Sequence, residues 1–139
     1  MSEPEQLVRD AMVREPFALP ASASAQEAGE ALLRPEVRAV LVCDEGRLVG
    51  VITRKTLVGR VVAKGLDPRT TTLGEIAEAP NAILDSATPL GDAFAFLEDE
   101  DLERVPVTED GKLVGVLSRS AVQRRLAEDE PPADETEDA

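Results

Sequence analysis

Thirteen residues of this chain are written twice: GRLVGVITRKTLV (Gly46–Val58) returns as GKLVGVLSRSAVQ (Gly111–Gln123). Sliding the first half onto the second at one constant offset aligns Leu19 with Leu84, Ala28 with Ala93 and Leu32 with Leu97. Val40 then meets Val105, Gly50 meets Gly115, Arg54 meets Arg119 and Arg60 meets Arg125, without a gap. Repetition on this scale marks a supersecondary unit used twice. A unit of about 60 residues buries too little apolar surface to stand alone, so the two copies are expected to pack as one domain.

The local signals agree between the copies. Ser24-Ala25-Gln26-Glu27 is a capping-box pattern, and Ala25, Ala28, Ala31 and Leu32 form a helical face behind it. In the second copy Thr88 is expected to cap, with Pro89 at the first helical position and Leu90, Ala93, Phe94 and Leu97 as the stripe. Two β-rich runs follow, joined across Asp44–Arg47 in one copy and Glu109–Lys112 in the other. Gly46 and Gly111 supply the positive φ that short hairpins need. A second helix comes next, with Leu57, Val58, Val61 and Val62 expected to face inward. Short strands near Phe17–Leu19 and Ile83–Leu84 precede the first helices, giving β-α-β-β-α in each copy. Leading helices are expected at Glu5–Met12 and Leu73–Ala77, the latter opened by a Thr72-x-x-Glu75 box.

The expected fold class is therefore α+β: two tandem units related by pseudo-two-fold symmetry, sheets packed together and helices outside. The divisions are 1–64 (leading helix and first motif), 65–71 (linker), 72–127 (second motif) and 128–139. That last segment holds seven acids, no base and two prolines, and reads as a disordered acidic tail.

Composition narrows the function. Aromatic residues are 2% of the chain, so the core must be Val, Leu, Ile and Ala. There is no His and one Cys, which excludes an internal disulfide, His-based metal sites and Ser/His or Cys/His dyads. Cys43 lies in an apolar run and reads as a small buried hydrophobe. Lys55, Lys64 and Lys112 fall in turns or at element ends, and no pair of acids stands out in an apolar setting, so no catalytic role is expected. A net charge of −13 argues against nucleic acid as a partner. With no long apolar run and a polar start, neither a membrane span nor a signal peptide is expected, and the protein reads as cytoplasmic. The acidic run Glu98–Glu103 lacks the spaced ligands of a calcium loop and reads as solvated.

Thr53 and Ser118 are residues that any helix N-cap prefers. The arginines after them, Arg54 and Arg119, sit where the helix macrodipole disfavours a cation, which calls for an anion or an acidic neighbour.

VCDEGRLVGVIT (Val42–Thr53), RVPVTEDGKLVGVLS (Arg104–Ser118) and VRDAM (Val8–Met12) resemble the CBS domain family, named for cystathionine β-synthase. Two copies in one chain resemble the paired arrangement called a Bateman module, and the resemblance covers roughly Leu7–Leu126. It implies a stand-alone regulatory module that senses an adenosine-type or other phosphate-bearing molecule and modulates a partner protein. It also implies a disc-like homodimer. The family's phosphate-contacting hydroxyl maps onto Thr53 and Ser118, and its ribose-gripping Asp onto Thr56 and Ala121. The ligand residues implied are Thr53, Arg54, Lys55 and Thr56, flanked by Val13, Phe17 and Leu41, with Ser118 and Arg119 as a poorer version in the second copy. No cofactor is required; the ligand is an adenine nucleotide or another anion. With the Asp absent from both copies, the alternative is a ligand-free dimerisation or interaction module.

Overall fold

The computed structural model describes residues 5–14 and 16–129. In chain order, α1 (Val8–Ala11) and β1 (Val13–Arg14) come first. The first copy follows as β2 (Ala18–Pro20), α2 (Ala25–Leu32), β3 (Val40–Asp44), β4 (Arg47–Ile52) and α3 (Arg54–Leu57), which runs into a π-helical turn at Val58–Val62. After α4 (Leu73–Ile76), the second copy supplies β5 (Leu84–Asp85), α5 (Leu90–Asp99), β6 (Arg104–Glu109), β7 (Lys112–Ser118) and α6 (Arg119–Asp129). The fold is a mixed α+β one. None of the described helices is long and apolar enough to cross a membrane.

The described residues divide into two compact units: residues 16–81 with 110–113, and residues 5–14 with 82–109 and 114–129. In the first, β2 pairs parallel with β3 and β3 antiparallel with β4, in the register Ala18↔Leu41 and Val40↔Ile52. Ala25, Ala28 and Leu32 close over Val40, Val42 and Ile52, with Val61, Leu73 and Ile76 completing the cluster. In the second, β5 pairs parallel with β6, β6 lies beside β7, and β1 adds antiparallel to β7 as Val13↔Val116. Leu90, Ala93 and Leu97 pack there with Val105, Val107, Leu117 and Val122. The hairpin turns behave as their sequence demands: Glu45-Gly46 and Asp110-Gly111 all have positive φ.

Why each copy needs the other is visible at the helix starts. The N–H of Ala25 donates to the carbonyl of Thr71, and that of Leu73 to the carbonyl of Ala23. At the equivalent places Leu90 donates to Gln6 and Val8 to Thr88. Each copy's leading segment is thus held by the other copy's first helix. The same exchange explains Gly50 and Gly115. A Cβ on Gly50 would lie 2.6 Å from the Ala77 Cβ and 3.1 Å from the Glu78 carbonyl oxygen. On Gly115 it would lie 2.7 Å from the Met12 sulfur and 2.8 Å from the Val13 carbonyl oxygen. Glycine is what allows the exchanged strand to come this close.

Three local expectations change. Pro89 is the N-cap of α5 rather than its first residue, and no side chain caps that helix; the Leu90 N–H is satisfied by Gln6 instead. Val58 and Val62 do not face inward but are 60% and 71% exposed. The wide π-helical turn places the next inward position five residues after Thr56, at Val61, and rotates both valines outward. Finally, α6 extends over Glu128 and Asp129, the first two residues of the segment expected to be a tail; residues 130–139 lie outside the described residues.

Candidate functional site

The two repeated hydroxyls start helices. Ser118 Oγ accepts from the N–H of Ala121 at 3.1 Å. Thr53 Oγ1 accepts from the N–H of Thr56 at 3.2 Å, and Thr56 Oγ1 accepts from the N–H of Thr53 at 3.0 Å. Thr56 therefore completes a reciprocal capping box in the place a Glu or Gln takes more often.

The repeated arginines reach backwards. Arg54 donates to the carbonyls of Leu32 and Arg34, at the C-terminal end of α2. Arg119 donates to the carbonyl of Leu97, the residue matching Leu32, in the last turn of α5. The cation that is unfavourable at its own helix start thus lies against the negative end of the preceding helix. Arg119 also lies 3.7 Å from Asp101 and 3.8 Å from Glu103, the acidic neighbours that its position called for. This shared role gives the arginine a structural reason to recur.

One residue that sequence reasoning did not single out joins this cluster. Thr56 is 2% exposed, and its hydroxyl donates to Glu78 Oε1 at 2.8 Å. Thr53 and Thr56 hydroxyl oxygens are 3.0 Å apart, so with Thr56 donating to the carboxylate, Thr53 donates to Thr56. The result is a relay from Thr53 through Thr56 to Glu78. Arg60 approaches the other carboxylate oxygen at 3.6 Å and donates to the carbonyl of Ile76. About half of both the Glu78 and the Arg60 side chain stays exposed, 46% and 49%. The backbone of Glu78 pairs with Val51 through two hydrogen bonds, 2.8 and 3.0 Å. The only signal in the sequence was the repeat itself: Glu78 aligns with Val13, and Thr56 with Ala121.

The other expected ligand residues are distributed between the units. Lys55 is exposed beside Thr53, Phe17 precedes β2 and is exposed, and Leu41 is buried in β3 opposite Ala18 and Val51. Val13 belongs to the other unit, on β1, together with Ser118 and Arg119. Cys43 is half-buried on β3, where burial pushes its thiol pKa up. Among the described residues no cluster of three or more His, Cys, Asp or Glu could hold a metal ion.

The chain is similar in sequence and fold to known proteins. Hypoxic response protein 1 of Mycobacterium tuberculosis is 32% identical over 94 residues, 67% of this chain; the match spans 66% of that relative's own length. The crystal structure of Hypoxic Response Protein I with two coordinated zinc ions superposes with a TM-score of 0.73 at 26% identity, covering 86% of this chain and 98% of that one. The structure of CBSX2 in complex with AMP gives 0.70 at 26% identity, covering 88% and 96%. The CBS domain profile matches twice, over residues 8–63 and 69–128. Those two matches fall on the two copies, and the chain belongs to the CBS domain family as a tandem pair.

Proposed function

We propose that this CBS pair is a regulatory module whose first copy binds an adenine nucleotide or a closely related phosphate-bearing nucleoside. The observation that carries this reading is the helix start at Thr53, where a hydroxyl relay ends on a half-exposed carboxylate and an exposed Lys55 follows in the first turn. Lys55 offers an ammonium to a phosphate, and the carboxylate on which the relay ends offers an acceptor to the rest of the ligand. The AMP complex of CBSX2 supports the ligand class. Arg54, engaged with α2, has no part in ligand contact in this reading. With no His and one Cys, this chain cannot build a zinc site on His or paired Cys.

Binding at Thr53–Thr56 stiffens the strand around Glu78 that docks on Val51, and this changes the surface presented to a partner protein. The change is bounded by the ligand's difference in affinity between the two states. The exposed Val58 and Val62 offer an apolar surface for a second chain, in keeping with a homodimer.

The test is a dye-monitored thermal melt of dialysed protein against AMP, ADP, ATP, S-adenosylmethionine, NAD, inorganic phosphate, Mg²⁺ and Zn²⁺. A ligand at 100 times its Kd adds about 2.7 kcal/mol, which is several degrees for a chain of this size. A rise with an adenine nucleotide, reduced in Lys55→Ala, is expected. A flat response to every compound favours the ligand-free interaction module.

A further inference from the structure

The two copies provide an internal control for Glu78. Both bring an exchanged strand against a hairpin strand, both place a glycine beneath it, and both pair the same backbone positions, Val51 with Glu78 and Val116 with Val13. In the second copy this docking is achieved with Val13 and Ala121, and no carboxylate. The Glu78 carboxylate and the Thr56 hydroxyl are therefore not needed to hold the strand. A half-exposed acid, held by the buried Thr56 hydroxyl on one oxygen and approached by Arg60 at 3.6 Å on the other, still has a second lone pair on each oxygen for something outside the protein.

Resting on the reading above, we infer that Glu78 is the acceptor for the ligand's paired sugar hydroxyls, and that the chain binds one nucleotide, at its first copy. A carboxylate is an acceptor-only group, so it selects ligand donors; two adjacent hydroxyls match its two oxygens. Thr56, at the position where the family resemblance puts an acid, does not face the ligand as that acid would. Its one proton goes to Glu78, and it acts as a positioning residue that fixes the carboxylate from below. The acid has moved from the helix to the exchanged strand. At Val13 and Ala121 the second copy has no side chain able to accept a hydroxyl, so it lacks the equivalent anchor.

Titration calorimetry with AMP and 2′-deoxy-AMP tests this, on the full chain and on Glu78→Gln. For the parent, one AMP per chain is expected, with 2′-deoxy-AMP weaker by roughly 10-fold or more, the value of a lost charge-assisted hydrogen bond. Glu78→Gln should weaken AMP by roughly 10- to 100-fold and bring the AMP to 2′-deoxy-AMP ratio towards one. A purely structural role for Glu78 leaves that ratio unchanged. Should Glu78→Gln melt early, Thr56→Ala with Glu78→Val installs the apolar pair that the second copy already tolerates, and should lose the same discrimination. AMP binding at two sites per chain, or an AMP to 2′-deoxy-AMP ratio that survives both variants, overturns the inference and leaves the nucleotide-sensor reading standing. Absence of any nucleotide binding to the parent overturns both.

Discussion

Gly50→Ala is the sharpest test of the exchanged-strand packing. The new methyl would sit 2.6 Å from the Ala77 Cβ and 3.1 Å from the Glu78 carbonyl oxygen, where carbon atoms normally keep about 3.5–4.0 Å apart. The strand must retreat by about 1 Å, and it is held by the two hydrogen bonds between Val51 and Glu78. Overpacking of this kind costs about 1–3 kcal/mol, and each weakened backbone bond up to about 1 kcal/mol. Replacing a strand glycine returns about 0.5–1 kcal/mol of backbone entropy. The net loss is about 2–3 kcal/mol, which lowers the melting temperature by roughly 6–15 °C. Calorimetric or dye-based melts read it directly. Two companions make the result specific. Gly91→Ala, on the exposed side of α5 with nothing within 4 Å of the new methyl, should raise the melting temperature slightly. Ala77→Gly added to Gly50→Ala should recover part of the loss. A Gly50→Ala protein that melts with the parent, or a double variant no better than the single one, refutes the reasoning.

Arg54→Ala and Arg119→Ala should each destabilise by about 1 kcal/mol by uncapping α2 and α5, and Arg54→Ala should leave AMP affinity within the range explained by that loss. The backbone N–H and hydroxyl of Thr72 hold the Glu75 carboxyl below its ordinary pKa of 4.5. Its contribution is present above that value and lost as pH falls through the lower folded one. Glu75→Gln should therefore melt below the parent at neutral pH and converge with it once acidification has taken the pH below the lowered folded pKa. Burial raises the Cys43 thiol pKa, so alkylation by iodoacetamide at pH 8 should be much slower than for free cysteine, and fast in denaturant. For the proposed homodimer, sedimentation velocity of the parent should give twice the chain mass, and replacing Val58 and Val62 by Asp should shift it to the monomer; an unchanged mass removes that face from the pairing surface.

The repeat made the element order legible because each copy corroborated the other. Capping boxes at Ser24 and Thr72 and positive-φ turns at Gly46 and Gly111 depend on neighbours within four residues, so local sequence carries them. What was not legible depends on partners far along the chain. Ser24 and Thr53 look alike as caps, yet only Thr53 belongs to a relay ending at Glu78, more than twenty residues on. The recurrence of Arg54 and Arg119 was plain, but their direction was not: their targets lie on the preceding helix, beyond any local pattern. Val58 and Val62 have the spacing of a core face, and the π-helical turn that rotates them outward has no counterpart in hydrophobic periodicity.

Hydrogen exchange with and without saturating AMP addresses the central claim most directly. A first-copy nucleotide site predicts slowed exchange at residues 51–57 and 76–79, with the matching residues 116–122 and 11–14 little changed. Protection centred on the second copy, or none at either, contradicts it.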